Sequence, residues 1–355
     1  MTNFLLAGGG TAGHVNPLLS LADAIMADDA NNQVWALGTR EGLESTLVPQ
    51  RGYRLLTVER LPFPRKLSGY AIRFPLKFQR AINLVKRYLN ENKIDVVVGF
   101  GGYASAPAYI AAKQLGIPVV VHEANALPGW ANKLGSKSAK AVGVAFASTP
   151  LPGATFVGMP LRSEIEAIAE HGDREAARLH FGLDPDTVTL LVTGGSLGAK
   201  RLNETIDQSR RVLSAAGIQV LHIMGGRSEL EEVHEKDYVR ISYCDRMDLA
   251  IVASNFAVSR AGASTVSEFA AVGLPAVYVP YPVGNGEQKL NVADLVAGGG
   301  GVMVLDSDFT PEYVADQIVP LVSNSRSLSD MSKKARGIGV ADGTQRLLEL
   351  VKGVL

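Results

Sequence analysis

The sequence contains a single cysteine, Cys244, among 355 residues, so no disulfide can form within the chain. The lack of disulfides favours a reducing compartment such as the cytosol. No apolar run reaches the ~18 residues that a membrane-spanning helix needs. The first ten residues also lack the basic segment that opens a signal peptide. We therefore expect a soluble protein, although such a protein can still lie against a membrane.

Neither sign of charge is in excess, because 35 Lys and Arg residues balance 35 Asp and Glu residues. A net charge of zero argues against a general nucleic-acid binder. The basic residues are nevertheless concentrated in residues 60–93, where Glu91 is the one acid and aromatic and aliphatic side chains are interleaved. This mixture is typical of attachment to an anionic membrane surface, with Phe74, Lys77 and Phe78 expected to contribute. An ordinary helix with a solvated basic face is the alternative.

Short apolar segments alternate with helical patterns along the chain. Hydrophobic residues make up 46% of the sequence and charged residues 20%, which allows a sizeable core. In the first half, the predicted strands are 3–7, 33–38, 95–100, 118–123 and 141–146. The predicted helices between them include 17–27 and 106–116. Continuous apolar strands that alternate with helices indicate an α/β protein with a parallel sheet.

The same order of elements starts again in the second half. Residues 189–195 form a predicted strand that runs into a glycine loop, and a helix is predicted over 200–217. The length of the chain also suggests two domains. We therefore predict two doubly wound, Rossmann-like domains that face a deep cleft, with residues 1–162 in the first and 163–341 in the second. The last helix, within 342–355, is expected to pack back onto the first domain.

Glycine-rich segments follow the predicted strands, at the loops where such sheets bind their ligands. These segments are 8–13, 99–102, 194–198, 225–226, 262 and 284–286. The first has the G-x-G-x-x-G spacing of a dinucleotide-binding loop. NAD binding also needs an acid at the end of the second strand, but that strand ends in Gly-Thr-Arg with Glu41 only beyond it, so NAD binding is disfavoured. A tight turn without a chemical role is a further alternative for the loop.

His14 directly follows this first loop, and a histidine there could take a proton from a substrate hydroxyl at cytosolic pH.

In the second half, the loop around Ser196 also joins a strand to a helix and could hold the phosphates of a nucleotide. Residues 265–268, Thr-Val-Ser-Glu, fit a capping box. Alternatively, Glu268 accepts two hydrogen bonds from a ribose diol, and this is the interpretation that we favour. Gln288 offers both a donor and an acceptor to sugar hydroxyls.

Seven segments occur in an order that is specific to one family. They are GGGTAGHVNP, GFGGYASAP, HEANALPGWANK, GMPLR, TGGSLGAKRLN, SRAGASTVSE and GEQKLNVA. In these segments the sequence resembles the MurG family of bacterial N-acetylglucosaminyltransferases over nearly its whole length. The resemblance implies the GT-B fold. It also implies inverting transfer of GlcNAc from UDP-GlcNAc to the C4 hydroxyl of MurNAc in undecaprenyl-pyrophosphoryl-MurNAc-pentapeptide (lipid I), which yields lipid II and UDP for peptidoglycan synthesis.

The resemblance assigns donor-binding residues one at a time. Those implied to bind UDP-GlcNAc are Thr11, Ala12, Gly13, Asn125, Arg162, Ser196, Cys244, Ala263, Ser264, Thr265, Val266, Ser267, Glu268 and Gln288. The chain departs from the family pattern at Ala12, where glycine is usual, and at Ala261, where serine is usual. The family commonly has an aliphatic residue at the position of Cys244, so a contact made by the backbone would survive the difference.

Direct displacement with inversion requires a base for the acceptor hydroxyl and stabilisation of the leaving UDP. His14 is the candidate base, and Glu123 is a second candidate. By the resemblance, Gly10, Gly101 and Gly102 cradle the diphosphate of the acceptor. Loop amides and a helix N-terminus can stabilise the leaving diphosphate, and the sequence has no D-x-D segment, so we expect neither a metal ion nor a cofactor.

The expected partners are UDP-GlcNAc, lipid I and, through residues 60–93, the anionic surface of the inner membrane. A cell-wall synthesis complex is a further expected partner, whereas nucleic acid is not. The expected location is the cytoplasmic face of the cell membrane, as a peripheral protein. Three alternatives stay open: another GT-B glycosyltransferase, a non-hydrolysing UDP-GlcNAc 2-epimerase, and an inactive sugar-nucleotide-binding protein. The epimerase should carry additional acid/base carboxylates.

Overall fold

The described part of the chain forms two seven-stranded sheets, each at the centre of a separate unit. The computed structural model describes residues 1–64, 66 and 68–355. Unit 1 comprises Met1–Arg162 and Asp342–Leu355, and unit 2 comprises Ser163–Ala341.

All neighbouring strands in the sheet of unit 1 are parallel. The strands are β1 (Asn3–Ala7), β2 (Gln33–Thr39), β3 (Arg54–Val58), β4 (Val96–Gly99), β5 (Val119–Glu123), β6 (Ala141–Val144) and β7 (Ala154–Phe156). The helices are α1 (Ala12–Asp28), α2 (Glu44–Gln50), α3 (Gly69–Glu91), α4 (Ser105–Leu115) and α5 (Trp130–Ser136). The strand order is β3-β2-β1-β4-β5-β6-β7, so the order reverses between β1 and β4.

Unit 2 has a similar seven-stranded sheet, with an antiparallel strand at one edge. Its strands are β8 (Val188–Thr193), β9 (Ile218–Ile223), β10 (Val233–Glu235), β11 (Tyr238–Ile241), β12 (Phe256–Ser259), β13 (Ala276–Tyr278) and β14 (Gly301–Met303). The strand order is β10-β11-β9-β8-β12-β13-β14, and only the pairing of β10 with β11 is antiparallel among the described strands. The order therefore reverses between β8 and β12.

The helices of unit 2 include several short ones. They are α6 (Ser163–His171), α7 (Arg174–His180), α8 (Lys200–Gln208), α9 (Arg210–Ala215), α10 (Met247–Ala253), α11 (Ala263–Val272), α12 (Glu287–Asn291), α13 (Ala293–Ala297), α14 (Pro311–Tyr313), α15 (Val319–Val322) and α16 (Ser325–Ile338). A π-helical turn, Val314–Ile318, joins α14 to α15.

The central strands are apolar on both faces because helices cover both faces of each sheet. Consecutive residues of β1 enter different hydrophobic clusters: Leu5 packs with Val97 on one face, and Leu6 packs with Val98 on the other. All four side chains are fully buried. The strand order and these two-sided cores confirm the predicted α/β class with two doubly wound sheets.

The C-terminal helix α17 (Gly343–Lys352) belongs to unit 1 and packs against α1. Leu347 is fully buried in the cluster beneath α1. The hydroxyl of Thr344 donates to the carbonyl of Leu161 at 3.2 Å. Lys352 forms an ion pair with Asp28 at 2.8 Å. A hydrogen bond at the start of the helix, apolar burial in its middle and an ion pair at its end therefore hold α17 on this unit.

The helix predicted over 200–217 is interrupted at Ser209, which separates α8 from α9. The Ser209 hydroxyl donates to the carbonyl of Thr205 at 2.7 Å, and the Ser209 amide is shared between the carbonyls of Thr205 and Ile206. A serine that bonds one turn back in this way bends or interrupts a helix. The sequence pattern predicted the two helices as one because their apolar face continues across the break.

Helix α3 contains most of the basic segment identified in the sequence. It begins after Ser68, whose hydroxyl oxygen accepts a hydrogen bond from the amide of Ala71 at 3.2 Å. Val85 and its buried neighbours hold the helix against the sheet. Arg65 and Leu67 lie outside the described residues. Within the described ranges, no helix combines the length and the hydropathy that crossing a bilayer requires.

Candidate active site

The loops after β1 and β4 leave the sheet of unit 1 side by side, where the strand order reverses. Doubly wound sheets bind ligands at this point. Gly10, Gly101 and Gly102 have φ angles of +91°, +93° and +82°, in the left-handed region that favours glycine. A Cβ atom added to Gly102 would lie 2.6 Å from the carbonyl oxygen of Gly9. Glycine is therefore required for the two loops to approach this closely.

His14 lies in the first turn of α1, and its side chain is half-buried. Its Nδ1 atom is 3.1 Å from the carbonyl oxygen of Gly9 and 3.4 Å from the hydroxyl of Thr11. Because a carbonyl oxygen only accepts, Nδ1 donates the proton in the shorter contact, and in the neutral tautomer of this kind Nε2 carries the lone pair. Nε2 lies beside Gly101 and has no hydrogen-bond partner among the described residues. Nε2 is therefore the ring nitrogen that the described residues leave without a partner.

Glu44 holds the first glycine loop from the start of α2. One carboxylate oxygen accepts a hydrogen bond from the Gly10 amide at 2.8 Å. The other accepts from the amide and the hydroxyl of Thr39, at 2.7 and 2.8 Å. An acid thus does meet the end of the second strand, although it comes from α2 and binds the protein's own loop. Sequence analysis missed Glu44, and the signal that could have found it is the set of glycines that surrounds its side chain.

Two of the three glycines expected to cradle the acceptor's diphosphate have amides that bond within the protein. The Gly10 amide donates to Glu44, and the Gly101 amide donates to the hydroxyl oxygen of Ser105 at 3.1 Å. Neither amide is available to a phosphate in this structure. Among the described residues, the Gly102 amide is the one of the three without a protein acceptor.

Glu123, the second candidate base, ends β5 and is buried. One carboxylate oxygen accepts from the amide of Asn125 at 2.9 Å. The other accepts from the amide of Gly129 at 3.0 Å and from the side-chain amide of Asn132 at 2.9 Å. These bonds fold the loop between β5 and α5 around the carboxylate. The geometry therefore favours a structural role for Glu123 over that of a base.

Asn132, which the sequence analysis left without a role, connects this loop to the rest of the site. Its side-chain amide also donates to the carbonyl of His122 at 3.0 Å, and its oxygen accepts from the hydroxyl of Tyr109 at 2.7 Å. Burial raises the pKa of Tyr109. Burial also lowers the pKa of His122 to about 4, and the nearby His14 adds to this effect. The tyrosine and the buried histidine are therefore both neutral at cytosolic pH.

The other residues of unit 1 expected to bind the donor lie at three places. Thr11 and Gly13 flank the start of α1, and Thr11 is its N-cap residue. Ala12 is the first residue of the helix, but its side chain lies outside the described part of the chain. Asn125 lies in the loop that follows β5, and Arg162 is half-buried at the end of the first segment of unit 1.

In unit 2, the loop after β8 turns tightly before α8 begins. Gly195 and Gly198 have φ angles of +84° and +83°, and the Gly198 amide donates to the Gly195 carbonyl at 2.9 Å. A Cβ atom on Gly198 would overlap the carbonyl oxygen of Met224. Ser196 is exposed at the tip of the loop. The loop therefore presents a hydroxyl and backbone amides near a helix N-terminus, where anions are favoured.

Helix α11 begins earlier than the capping box requires. Gly262 is its N-cap residue and Ala263 its first helical residue. Thr265 is thus the third residue of the helix and Glu268 the sixth, so the capping-box interpretation is wrong. The hydroxyl oxygen of Ser264 is buried and has no hydrogen-bond partner among the described residues. A buried hydroxyl that lacks a hydrogen bond lowers the free energy of unfolding by about 1–3 kcal/mol. The position of Ser264 in the first turn suits a polar or anionic ligand.

The remaining residues expected to bind the donor differ in what they can offer. Ala263 and Val266 are buried, so contacts with a ligand would use their backbone atoms, whereas Ser267 and Glu268 are half-buried. Cys244 follows β11, and its buried side chain agrees with a contact through the backbone.

Among the residues that the structure describes, no three His, Cys, Asp or Glu side chains gather in a way that could hold a metal ion.

Gln288 ties the loops after β12 and β13 together. Its side-chain oxygen accepts from the amides of Ala261 and Tyr281, at 3.2 and 2.8 Å. The NH2 group of the same side chain is then the part that can contact a ligand. Arg260 supports the same two loops, because it bonds to carbonyls after β13 and pairs with Asp306 at 2.6 Å. These bonds therefore fix the two loops relative to each other.

Two doubly wound units, each with a glycine loop and a helix N-terminus at its switch point, have the architecture of the GT-B glycosyltransferases. Two family models match the chain, the glycosyltransferase family 28 N-terminal domain over residues 4–144 and the glycosyltransferase family 28 C-terminal domain over residues 189–347. The chain belongs to glycosyltransferase family 28 and is a glycosyltransferase.

Similar proteins cover almost the whole chain. A relative from Clavibacter sepedonicus is 55% identical over 353 residues, which cover 99% of this chain and 96% of the relative. A relative from Streptomyces coelicolor is 47% identical and covers 98% of this chain and 96% of its own length. Both are named UDP-N-acetylglucosamine--N-acetylmuramyl-(pentapeptide) pyrophosphoryl-undecaprenol N-acetylglucosamine transferase.

Solved structures are similar as well. The crystal structure of Acinetobacter baumannii MurG has a TM-score of 0.80 and 28% identity, and covers 99% of this chain and 100% of that one. The UDP-GlcNAc 2-epimerase from Neisseria meningitidis has a TM-score of 0.69 and 14% identity, with 99% and 100% covered. At that identity the second likeness concerns the fold alone.

Proposed function

We propose that this protein transfers GlcNAc from UDP-GlcNAc to the C4 hydroxyl of MurNAc in lipid I, forming lipid II and UDP in peptidoglycan synthesis. The observation that carries the proposal is the likeness, over 99% of the chain, to a 55% identical relative whose name states this transferase. The anomeric centre inverts, because the acceptor oxygen attacks the anomeric carbon from the side opposite to the departing UDP. We also propose that the protein works as part of a cell-wall synthesis complex.

His14 is the base in the proposed reaction. Its Nε2 takes the proton of the C4 hydroxyl while the oxygen forms the new bond to the anomeric carbon. The bond between that carbon and the diphosphate breaks, and UDP leaves with the electron pair. The support for this role is the hydrogen bond of Nδ1 to the Gly9 carbonyl, which leaves Nε2 with its lone pair.

We assign UDP-GlcNAc to unit 2. The first turn of α11 supplies backbone amides and the buried hydroxyl of Ser264 to the donor. Glu268, further along the helix, takes the ribose diol, and the NH2 group of Gln288 takes a sugar hydroxyl or the diphosphate. Ser196 offers its exposed hydroxyl from the loop after β8. Amides and a helix N-terminus stabilise the charge of the departing diphosphate.

We assign the acceptor to unit 1. The Gly102 amide is the glycine amide proposed for the acceptor's diphosphate, because those of Gly10 and Gly101 already bond within the protein. The same loops carry His14, so the diphosphate and the base would lie on one side of the sheet. Binding of the acceptor therefore brings its sugar to the base without a separate recognition element.

The acceptor carries an undecaprenyl chain, so the enzyme must reach it at a membrane. Ile72 and Leu76 on α3 are 82% and 59% exposed. Phe63 and Trp130, also exposed, pack against each other with ring centroids 4.9 Å apart. The basic side chains of this region include Lys66, Arg73, Lys77, Arg80, Lys86 and Arg87. Apolar side chains next to basic ones support attachment to anionic lipid at the cytoplasmic face of the membrane.

Phe74 does not contribute to this surface in the way that the sequence predicts. It is 9% exposed, packs with Leu61 and Ala81 beneath α3, and stacks on Phe78 at 5.5 Å. The prediction for Phe74 was wrong because the basic pattern does not reveal which helix face meets the protein. Ile72, on the exposed side of α3, belongs to the proposed membrane surface instead.

Purified protein, radiolabelled UDP-GlcNAc and a lipid I analogue test the proposed function. We expect label on the lipid and release of UDP in equal amount. Epimerisation of UDP-GlcNAc without acceptor, or release of UDP without labelled lipid, would contradict the proposal. A control without the acceptor measures hydrolysis of the donor, and a control with unrelated polyprenyl phosphate measures acceptor specificity.

A further inference from the structure

Glu44 belongs to neither proposed substrate site, yet its carboxylate contacts the loop that precedes His14. We propose that Glu44 is a positioning residue for the base: through the Gly9–Gly10 peptide it orients and polarises the imidazole of His14. The inference rests on the proposed role of His14. It concerns a carboxylate that acts on a histidine through a peptide group rather than by direct contact.

The Gly9–Gly10 peptide lies between the two side chains. Its carbonyl oxygen is 3.1 Å from Nδ1 of His14, and its N–H donates to Oε2 of Glu44 at 2.8 Å. The N–H and C=O groups of a trans peptide point in opposite directions. The carboxylate and the imidazole therefore lie on opposite sides of one planar, polarisable group.

Hydrogen bonds in such a chain polarise one another. A carboxylate at the N–H end increases the negative charge on the carbonyl oxygen at the other end. That oxygen then holds the Nδ1 proton of His14 more firmly and stabilises the imidazolium that forms when Nε2 takes the acceptor's proton. In hydrolase triads, a carboxylate has this effect by direct contact with the histidine. Here Glu44 would exert a weaker form of it across one peptide.

The surroundings of Glu44 form a built site for a carboxylate. The side chain is 1% exposed, and all three of its hydrogen bonds, from Gly10 and Thr39, come from donors, as a carboxylate requires. A Cβ atom added to Gly9, Gly38 or Gly42 would overlap the Glu44 side chain. The surrounding backbone therefore holds the carboxylate in a single orientation. In that orientation, Oε2 accepts from the Gly10 amide in the loop that precedes His14.

Glu44→Gln removes the charge and keeps the shape of the side chain. We expect kcat for lipid II formation to fall at least about tenfold, because the single acceptor oxygen of Gln can serve Thr39 or the Gly10 amide but not both. KM for UDP-GlcNAc should change less than about twofold, because unit 2 is proposed to bind the donor. Glu41→Gln is the matched control, since it removes the same charge from an exposed side chain three residues away. It should retain wild-type kcat.

A double-mutant cycle with His14 separates positioning from a merely structural role. In a His14→Ala background, Glu44→Gln should change the residual kcat by less than about twofold, because the group on which it acts is gone. A structural role would lower kcat by the same factor in both backgrounds. Equal losses in the two backgrounds, or an unchanged kcat in the single variant, overturn the inference.

Nitrogen-15 spectra of the imidazole rings provide a readout that does not depend on activity. In the wild-type protein His14 should be the tautomer protonated at Nδ1, and Glu44→Gln should lower the population of that tautomer. Should this variant not fold, Thr39→Val takes its place, because it removes a hydroxyl bond to the same carboxylate and should shift the tautomer less. An Nε2-protonated His14 in the wild type, or an unaltered population in the variant, contradicts the inference. Absence of transfer by the wild type would contradict the proposed function alone.

Discussion

Protonation of His122 is expected to destabilise unit 1 in mild acid. The side chain is fully buried, Nε2 is 3.0 Å from the carbonyl oxygen of Gly158, and Nδ1 has no hydrogen-bond partner among the described residues. Burial lowers the pKa of His122 from 6.5 to about 4, although the contact with Gly158 opposes this shift. In the unfolded chain the pKa returns to about 6.5.

The sign of the effect follows from which state binds the proton. As the pH falls through about 6.5, His122 binds a proton in the unfolded state but stays neutral in the folded state. The stability due to the neutral histidine is therefore fully present above about pH 6.5 and is lost as the pH falls toward about 4. Between pH 7.5 and 5.0 the free energy of unfolding should fall by about 2 kcal/mol for this group.

Urea unfolding followed by tryptophan fluorescence measures unit 1, because Trp35 and Trp130 are the two tryptophans and both belong to it. In His122→Gln, the loss of stability between pH 7.5 and 5.0 should be about 2 kcal/mol smaller than in the wild type. His222→Gln is the control. Burial lowers the pKa of this histidine to about 3, but His222 belongs to unit 2, whereas both tryptophans belong to unit 1. Equal pH dependence in the wild type and His122→Gln would refute the reasoning.

Three further variants test the substrate and membrane sites. His14→Ala should lower kcat by about 10²–10⁴-fold with little change in the Kd of UDP-GlcNAc by calorimetry, and near-normal turnover at saturating substrate would exclude His14 as the base. Ile72→Ser combined with Leu76→Ser should weaken sedimentation with anionic vesicles at least about tenfold through lost apolar burial. Leu179→Ser, which replaces a similarly exposed leucine in unit 2, should leave vesicle binding unchanged. Equal binding by the wild type, the double variant and Leu179→Ser would contradict the surface proposed on α3. Ser264→Ala should weaken UDP-GlcNAc binding about fivefold without lowering the Tm of the free protein, because no bond within the protein is lost; a lower Tm with unchanged binding would argue against its role.

The fold class was predictable because it depends on patterns that are local in the sequence. Three consecutive apolar residues, such as 96–98, fit a strand only if helices cover both of its faces, and the structure has them buried in that way. The break at Ser209 was not predictable, because the hydroxyl bond to Thr205 competes with the helix only in one side-chain conformation. The capping-box alternative would start α11 three residues too late, because Gly262 and Thr265 are both acceptable N-caps in sequence.

The sequence by itself determined that His14 follows a glycine loop after the first strand, because loop, strand and helix start are neighbours in the chain. It could not reveal that Glu44, 34 residues beyond Gly10, occupies the amide of that loop. Only the tertiary structure brings distant donors and acceptors together, and it therefore decides which polar groups are already satisfied. For the same reason it decided that the amides of Gly10 and Gly101 and the carboxylate of Glu123 bond within the protein, whereas Nε2 of His14 has no partner among the described residues.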